Sequence, residues 1–584
     1  MKILLIAINA KYIHSNLAIY CLRACAGEQK EQVELAEYTI NHQKEDILAD
    51  IYKRKPDVAA FSCYIWNRDY VLSLIRDLSL LCPEVPIWVG GPEVSYDAVQ
   101  FLRDYPQVTG VMAGEGERSF RALAEYYVKK TEDSLGKIRG LTWRGENGDI
   151  YENSPAELMN LDEIPFVYEK IEAFGHKIIY YESSRGCPFS CSYCLSSIDK
   201  SVRFRSLARV YQELQFFLDA KVPQVKFVDR TFNCNHRHAK AIWGYIAEHD
   251  NGITNFHFEI AADLLDEEER KLLASMRPGL VQLEIGVQSV NLLTIHEIDR
   301  VMSLSRLKQT VAQIQAGKNV HQHLDLIAGL PYEDYESFVN SFNEVYRMRP
   351  QQLQLGFLKV LKGSKMHRKA KDYGIVYRQE PPYEVLCTRW ISYEEIRKLK
   401  AVEEMVEVYY NSGQFENTIR HLEQSFPHPF AMYEALAGYY EKEGLNGRSH
   451  SRMGRLEILR SFTEEVDKEQ RGLYDELLLL DLYLRENSKS RPAWAGDLSL
   501  YKADFRDFYI REAENPQSLK NYAGYTSKQI MNMTHGEVFF HDVLKTGADL
   551  PCYVVFDYRN RDPLTGNAKL VIWKGGTRKC HLNT

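Results

Sequence analysis

Short apolar runs alternate with helical patterns from Lys2 to Phe357, and this alternation constrains the fold more than any other feature. It is typical of parallel sheets whose crossover helices cover the sheet faces. The 584 residues predict about three or four domains. A turn-rich stretch at residues 131–174 interrupts the alternation, so we expect two separate α/β domains in this part of the chain.

Residues 1–130 predict a doubly wound, Rossmann-like sheet. Strands are expected at Lys2–Ile8, Val33–Tyr38, Val58–Ser62, Ile87–Val89 and Val111–Met112. Helices are expected at Leu17–Ala26, Glu45–Arg54, Tyr70–Leu81 and Glu117–Lys129. A ligand of such a sheet lies outside the carboxyl ends of the strands, where the strand order reverses. The loops at these ends therefore hold the first candidate binding residues.

Glycines in those loops, such as Gly90 and Gly91, let backbone approach a ligand closely, although ordinary turns use glycine too. The loops in question are Asn9–Asn16, Ser62–Asn67, Gly90–Glu93 and Gly114–Glu117.

Residues 131–174 predict a hairpin and a linker. Leu141–Arg144 and Asp149–Tyr151 have the pattern of paired strands around a glycine turn. Leu161–Pro165 then predicts extended chain that ends at a proline.

Residues 175–381 contain six strand–helix repeats, which predict a partial (β/α)6 barrel similar to a TIM barrel. Strands are expected at Ile178–Ser183, Gln224–Val228, Asn255–Ala261, Gly279–Gly286, His321–Ala328 and Gln352–Phe357. Helices are expected at Arg205–Ala220, His236–Glu248, Asp266–Ser275, Ser303–Ala316 and Tyr335–Met348. Active groups of such barrels lie at the carboxyl ends of the strands.

Residues 382–584 predict a mostly helical domain with a small antiparallel sheet near its end. Helical patterns cover Ser392–Ser412, Gln414–Gln424, Pro429–Glu443, Arg452–Leu484 and Ala503–Ala513. Strands are expected at Gly536–Phe540, Cys552–Phe556 and Lys569–Trp573, with a long hairpin loop at Arg559–Gly566.

The loop after the first barrel strand carries three cysteines, Cys187, Cys191 and Cys194, spaced C-x3-C-x2-C. Three thiolates can ligate three irons of a [4Fe–4S] cluster, whereas clusters that only carry electrons have four cysteine ligands. The fourth iron would then be open to bind a ligand, as the open position of a catalytic zinc is. The alternative is a zinc site whose fourth ligand is Cys234, His236 or His238.

Composition narrows the class of protein. The net charge of −7 argues against a broad nucleic-acid surface. Eleven cysteines without a disulfide framework favour a reducing compartment. The apolar run at Met1–Asn9 is too short for a signal peptide, and no stretch approaches the length of a membrane span. We therefore expect a cytoplasmic protein that binds neither membrane nor nucleic acid.

The cysteine spacing, with Tyr193 before the last cysteine, resembles that of the radical SAM enzymes, in which the open iron chelates S-adenosylmethionine (SAM). Four later segments also resemble that family: Val228–Asn233, Leu283–Ser289, the segment around Arg300, and Asp325–Pro331. The resemblance implies SAM contacts from Tyr193, Asp229, Thr231, Glu284, Gln288, Ser289, Arg300 and Leu330.

Within that resemblance, Asp229 and Thr231 would lie near the SAM amino group, and Glu284, Gln288 and Ser289 near the ribose. Arg300 would hold the SAM carboxylate, and the turn containing Leu330 would lie near the adenine. A helix N-cap is the alternative role for Asp229, and a solvated helical charge is the alternative for Arg300.

The loops of the first domain resemble the cobalamin-binding domain that precedes the core in B12-dependent radical SAM proteins. The Asp-x-His-x-x-Gly signature of a cobalt-ligating histidine is absent, because Tyr12 and Asn16 flank His14 instead. The resemblance thus implies cobalamin without a histidine below the cobalt. The cobalamin contacts that it implies are Asn9, His14, Ser62, Tyr64, Gly90, Gly91, Glu93, Gly114 and Glu115. The C-terminal domain resembles that of an uncharacterised group in this branch.

The family's activity implies that the [4Fe–4S] cluster cleaves SAM into methionine and a 5'-deoxyadenosyl radical, and that cobalamin helps to methylate or rearrange an unactivated carbon. It also implies an electron donor such as flavodoxin or ferredoxin. One alternative is a tRNA methylthiotransferase-like enzyme, although the N-terminal cysteines Cys21, Cys25, Cys63 and Cys82 lack the spacing of its second cluster. The other is a non-enzymatic, zinc-stapled interaction protein. No pattern in the sequence identifies the substrate.

Overall fold

The computed structural model describes residues 1–129, 134–547 and 549–573. It divides into two compact units. The first consists of Met1–Phe338 and Gly356–Ile396, and the second consists of Val339–Leu355 and Arg397–Thr584. The predicted boundary between residues 130 and 131 lies outside the described residues.

The first sheet has seven strands in the order β2-β1-β3-β4-β5-β6-β7. The strands are β1 (Ile3–Asn9), β2 (Val33–Thr39), β3 (Val58–Ser62), β4 (Ile87–Gly90), β5 (Gly110–Met112), β6 (Leu141–Arg144) and β7 (Ile150–Glu152). The helices are α1 (Leu17–Cys25), α2 (Lys44–Arg54), α3 (Arg68–Leu81), α4 (Pro92–Ser95), α5 (Ala98–Asp104) and α6 (Gly116–Lys129). The first five strands are parallel, as predicted.

The hairpin that the sequence separated from this sheet continues it instead. Strand β6 pairs antiparallel with β5, and β7 pairs with β6. Both faces of the sheet are apolar because alternate residues of β1, such as Leu4 and Leu5, enter different cores. Such two-sided burial is expected of a parallel sheet covered by helices.

Strand order reverses beside β1, which pairs with β2 on one side and with β3 on the other. The loops that follow β1 and β3 therefore leave the sheet at a switch point, where doubly wound proteins bind ligands.

Gly91, in the loop after β4, is required by a contact within the protein. Its φ is 118° and its ψ is 173°, a region that essentially only glycine adopts. A Cβ at Gly91 would lie 2.4 Å from the carbonyl oxygen of Cys63. Close packing of two loops thus explains this glycine.

The second sheet has six strands in the order β15-β14-β13-β12-β11-β8 and forms the predicted partial barrel. The strands of this region are β8 (Ile179–Tyr181), β9 (Ser184–Arg185), β10 (Arg203–Phe204), β11 (Gln224–Phe227), β12 (Asn255–Ile260), β13 (Val281–Gln288), β14 (His321–Ala328), β15 (Gln352–Phe357), β16 (Val376–Tyr377) and β17 (Val385–Cys387). The helices are α7 (Leu207–Asp219), α8 (His236–Glu248), α9 (Glu267–Ser275), α10 (Leu292–Glu297), α11 (Leu304–Gly317), α12 (Tyr335–Tyr346) and α13 (Lys365–Lys369). Pairing is parallel from β8 through β14.

The barrel strands have one apolar and one polar face. Phe227 of β11 and Phe258 of β12 pack together, and Phe258 also contacts Trp243 of α8. The apolar face is therefore covered by helices. The alternate positions, such as Lys226 and Glu284, are polar and lie on the opposite face.

The C-terminal unit is helical with a three-stranded antiparallel sheet. Its helices, beginning with the one that crosses the unit boundary, are α14 (Tyr393–Val406), α15 (Glu416–Leu422), α16 (Pro429–Lys442), α17 (Arg452–Val466), α18 (Arg471–Arg485), α19 (Lys502–Glu514) and α20 (Ser527–Met533). Its strands are β18 (Thr534–Phe539), β19 (Cys552–Arg561) and β20 (Ala568–Trp573). A π-helical turn at Glu407–Asn411 continues α14.

Two predictions for this unit were wrong in detail. The pattern Arg452–Leu484 is two helices, because Asp467 has φ −147° and ψ 71° and ends α17. Strand β19 extends to Arg561, so the loop predicted at Arg559–Gly566 is shorter.

We expect Gly91→Ala to destabilise the first domain by about 2 kcal/mol or more, because alanine must adopt a glycine-only conformation against Cys63. Gly90→Ala is the matched control, since a Cβ there would meet Met112 O at an ordinary 3.4 Å. Thermal unfolding of both variants measures the difference. Equal melting temperatures would contradict the packing explanation.

Candidate active site

The three-cysteine loop lies between β9 and β10, which pair antiparallel through Arg185↔Arg203. Ser192, inside the loop, donates its N–H to Ile298 O at 2.9 Å and accepts from Met366 N at 2.7 Å. Cys187 and Cys191 are buried, and Cys194 is half-buried. The loop is therefore fixed on several sides although it contains little regular structure.

The donor set fits a cluster better than a single zinc ion. Zinc–sulfur bonds of about 2.3 Å would bring the ligand atoms of a tetrahedral site to about 4 Å from one another. Within the described residues, no group of three or more Cys, His, Asp or Glu ligand atoms within 4.8 Å of one another contains a cysteine. His236 contacts Glu269 at 3.0 Å and the Nε2 of His238 lies 3.1 Å from Ser183 Oγ, so both histidines have other partners.

Arg300 lies against the cysteine loop, not in solvent. Its guanidinium donates to Cys191 Sγ at 3.8 Å, to Tyr193 Oη at 3.4 Å and to the carbonyl oxygen of Gly286. Burial alone would lower the pKa of Arg300, but the phenol of Tyr193 and the thiol of Cys191 raise it. The solvated alternative for Arg300 was wrong.

Two polar atoms beside Arg300 suit a polar ligand. Arg300 Nε and Gln288 Oε1 are buried, and no described residue supplies either with a hydrogen-bond partner. Unpaired buried polar atoms are costly, so a ligand that satisfies them would stabilise this end of the barrel. The predicted SAM contacts Tyr193, Gln288 and Arg300 meet here.

Asp229 is fully buried and already uses both carboxylate oxygens. Ser183 N donates to Oδ2 at 3.0 Å, and Ser183 Oγ and Ser184 Oγ donate to Oδ1 at 2.6 and 2.5 Å. Burial raises the pKa of Asp229 to about 6. It does not cap α8, whose N-cap is Asn235, so the capping alternative was wrong. Asp229 instead fixes the segment that leads into the cysteine loop.

The other residues expected near SAM follow β11, β13 and β14. Thr231 Oγ1 lies 3.6 Å from Cys187 Sγ. Ser289 Oγ donates to Glu333 Oε1 at 2.6 Å, and Leu330 is fully buried. Glu284 lies 3.1 Å from Lys226 Nζ and 3.0 Å from His257 Nε2.

A polar layer lines the barrel face opposite the helices, and sequence reasoning missed most of it. It consists of Lys226, His257, Glu259, Glu284, His323 and Asp325. Burial would raise the pKa of Glu284, but His257 and Lys226 lower it to about 2. Burial raises the pKa of Glu259 to about 7. The signal that could have identified this layer is the polar residue at every second position of β12, β13 and β14.

Four of the residues expected at the cobalamin site, Asn9, His14, Ser62 and Tyr64, lie in the loops at the switch point of the first sheet. Asn9 Nδ2 donates to His14 O at 3.1 Å, and Ser62 Oγ accepts from Asn16 at 3.3 Å. His14 Nδ1 lies 2.6 Å from Tyr180 Oη of the barrel, and burial lowers the pKa of His14. His14 thus has a partner within the protein.

Exposed aromatic rings at this switch point suit a flat, apolar macrocycle. Trp66 stacks on Tyr64 with ring centroids 4.5 Å apart, yet it is 45% exposed. Tyr12, in the loop after β1, is 65% exposed. Neither Trp66 nor Tyr12 was expected at the site, although both lie in loops that the sequence singled out.

Glu93 and Glu115 connect the first domain to the barrel. Glu93 Oε2 accepts from Tyr383 Oη at 2.7 Å, and burial raises the pKa of Glu93. Glu115 accepts from Arg203 at 3.1 Å and from Met159 N at 3.0 Å. Of the expected glycines, Gly114 has a φ of 80°, and Gly90 and Gly91 end and follow β4. Contacts within the protein therefore occupy both carboxylates.

Family models match three parts of the chain. Residues 3–124 match the B12 binding domain, residues 181–345 match the radical SAM superfamily, and residues 371–556 match a protein family of unknown function, DUF4080. The first match favours the cobalamin interpretation over the methylthiotransferase alternative.

Curated relatives have related descriptions. The chain is 31% identical over 207 residues to an uncharacterized methyltransferase of Pyrococcus horikoshii, which covers 33% of this chain and 44% of that protein. It is 26% identical over 303 residues to the cobalamin-dependent radical SAM methyltransferase TokK of Streptomyces tokunonensis, which covers 49% of this chain and 44% of TokK. The chain thus spans less than half the length of either relative.

Solved structures share the fold. OxsB, a cobalamin-dependent SAM radical enzyme solved with aqua-cobalamin and SAM, superposes with a TM-score of 0.56 at 14% identity, over 82% of this chain and 78% of that one. TsrM, a radical SAM methyltransferase of Kitasatospora setae, superposes with a TM-score of 0.53 at 15% identity, over 66% of this chain and 80% of that one.

The partial barrel with its three-cysteine loop, together with the match over residues 181–345, identifies this part of the chain as a radical SAM domain. Within the chain, a B12-binding domain thus precedes the radical SAM domain, and the C-terminal part matches DUF4080. The predicted α/β architecture with a helical C-terminal region is confirmed. No helix among the described residues has the length and apolarity needed to cross a membrane.

We expect Asp229→Ala to lower iron retention after anaerobic reconstitution, because three buried donors lose their acceptor beside the cysteine loop. The cost to stability should be about 2–4 kcal/mol. Ser184→Ala, which removes one of the three bonds, is the milder control. Iron per chain after gel filtration, with thermal unfolding, measures both; wild-type iron content in Asp229→Ala would contradict the role of this carboxylate.

Proposed function

We propose that this protein is a cobalamin-dependent radical SAM enzyme that methylates or rearranges an unactivated carbon of its substrate. The observation that carries the proposal is a loop with three cysteines spaced C-x3-C-x2-C, beside Arg300, at the carboxyl end of a polar barrel. The adjoining B12-binding domain and the methyltransferase relatives support the cobalamin part.

Cys187, Cys191 and Cys194 would hold the cluster, and the residues around Gln288 and Arg300 would hold SAM. When bound, these groups supply one-electron cleavage of SAM to methionine and a 5'-deoxyadenosyl radical, and cobalamin supplies a methyl carrier. The chain's own residues position these groups. The guanidinium of Arg300 lies beside the loop and has the geometry to bind a carboxylate, and Asp229 holds the loop in place through its hydrogen bonds.

Cobalamin would bind at the switch point of the first sheet, with contacts from Asn9, His14, Ser62, Tyr64 and the glycine loops. Because His14 is held by Tyr180 at 2.6 Å, we propose that no protein histidine ligates the cobalt.

The remaining proposals concern the surroundings of the enzyme. An electron donor such as flavodoxin or ferredoxin would reduce the cluster. A reducing, cytoplasmic environment is supported by the cysteines of the described residues, which are all free of disulfides.

Cys191→Ala should abolish conversion of SAM to 5'-deoxyadenosine by the anaerobically reconstituted protein, whereas Cys234→Ala should retain it. Cys234 is the matched control because it lies close to the loop and would be a ligand only in the zinc alternative. Product is measured by chromatography after addition of titanium(III) citrate. Loss of product in Cys234→Ala, or a colourless wild type with bound zinc, would contradict the cluster.

His14→Ala should retain hydroxocobalamin through gel filtration, and the paramagnetic resonance spectrum of the reduced cob(II)alamin form should be the same in both proteins. Labelling the protein with ¹⁵N should leave that spectrum unchanged. A nitrogen splitting that responds to ¹⁵N and disappears in His14→Ala would show a histidine ligand and refute the proposal.

A further inference from the structure

A basic segment, residues 359–371, packs beside the cysteine loop. It contains six lysines or arginines and no aspartate or glutamate, in a chain whose net charge is −7. The six are Lys359, Lys362, Lys365, Arg368, Lys369 and Lys371. Positive charge is therefore concentrated locally.

The basic segment contacts the cysteine loop through its backbone. Met366, the second residue of α13, is fully buried and donates its N–H to Ser192 O at 2.7 Å. Ser192 lies between Cys191 and Cys194, so one hydrogen bond joins a surface helix to a residue adjacent to a cluster ligand. The same Ser192 donates to Ile298 O at 2.9 Å, which brings the turn after α10 to this position as well.

The charges of the basic segment are only half neutralised. Three form ion pairs: Lys362 with Asp97 at 2.6 Å, Lys365 with Asp299 at 2.5 Å, and Lys369 with Glu297 at 3.5 Å. Lys359, Arg368 and Lys371 are exposed, and no ion pair within the described part of the chain includes them. Arg368 and Lys371 thus present uncompensated positive charge at the surface.

An exposed apolar side chain lies next to these charges. Val301 is 77% exposed and follows Asp299, the partner of Lys365, by two residues. Val301 thus adds one exposed apolar side chain to this charged surface, and protein interfaces combine apolar with polar groups. Opposite charges at such a rim accelerate encounter and set orientation.

We propose that the surface formed by the basic segment and Val301 is the docking site of a small acidic protein that carries one electron. The inference rests on the proposed function, because the cluster must be reduced. In the docked complex the carrier loses one electron and the cluster gains it, and no bond forms or breaks. The hydrogen bond from Met366 N to Ser192 O, 2.7 Å long, joins this surface directly to the cysteine loop.

The test reverses two exposed charges of the surface and two elsewhere. Arg368→Glu with Lys371→Glu forms the test pair. Lys53→Glu on α2 with Arg76→Glu on α3 forms the matched control, since both are exposed residues of the same types outside any ion pair among the described residues. Neither pair includes a residue of the proposed cofactor sites.

Two measurements compare the variants after reconstitution. Calorimetric titration with oxidised flavodoxin, an acidic carrier, measures docking without turnover. Production of 5'-deoxyadenosine is then driven either by limiting reduced flavodoxin or by titanium(III) citrate, which needs no docking surface.

We expect the test pair to bind flavodoxin about tenfold more weakly than the control pair, with a difference that shrinks at high salt. The flavodoxin-driven rate should fall in parallel, and the titanium-driven rate should stay equal to that of the control. Equal flavodoxin binding in the two pairs would overturn the proposal, as would an equal fall with both reductants. Absence of product with titanium(III) in every protein would refute the proposed function instead, while the titration would still test docking.

Discussion

The ion pairs that join the two flanks of the cysteine loop to the first domain are the constraint on which the site depends. Arg185, at the start of the loop, pairs with Glu117 at 2.8 Å, and Arg203, after its end, pairs with Glu115. All four side chains are at most 20% exposed. Removing one partner of a buried pair costs about 3–5 kcal/mol, because the other charge stays buried without compensation. These pairs therefore tie the position of the cysteine loop to the B12-binding domain.

The polar barrel face is consistent with a site that must bind polar groups. Burying Lys226, His257 and Glu284 is unfavourable unless they satisfy one another, and their mutual contacts at 3.0–3.1 Å do so. Glu259 has no ion-pair partner among the described residues, whereas Asp325 Oδ1 lies 3.1 Å from His323 Nε2, and burial raises the pKa of both carboxyls. Carboxylates with raised pKa values cluster at functional sites. The polar face thus contains side chains that pair with one another, Lys226, His257 and Glu284, and two acidic groups, Glu259 and Asp325, to which a ligand can bind.

Local patterns predicted the elements well because both parallel sheets bury apolar runs of definite length. Strand β14 was predicted at its observed bounds, and β3 likewise. The break at Asp467 was missed because polar residues there could continue a helix and only backbone geometry ends it. The protein partners of Glu93 and Glu115 were missed for a different reason. Tyr383 and Arg203 are 290 and 88 residues away, and no local pattern encodes such distant contacts.

Ser192 shows how a loop without regular structure can still be rigid. Its N–H binds Ile298 O and its carbonyl accepts from Met366. Two residues after Ile298, Arg300 returns to Cys191, the neighbour of Ser192. These hydrogen bonds therefore surround Cys191. Each of them restrains the loop before a cluster binds, so binding costs less conformational entropy. Backbone hydrogen bonds and one guanidinium thus restrain a loop that has little regular structure of its own.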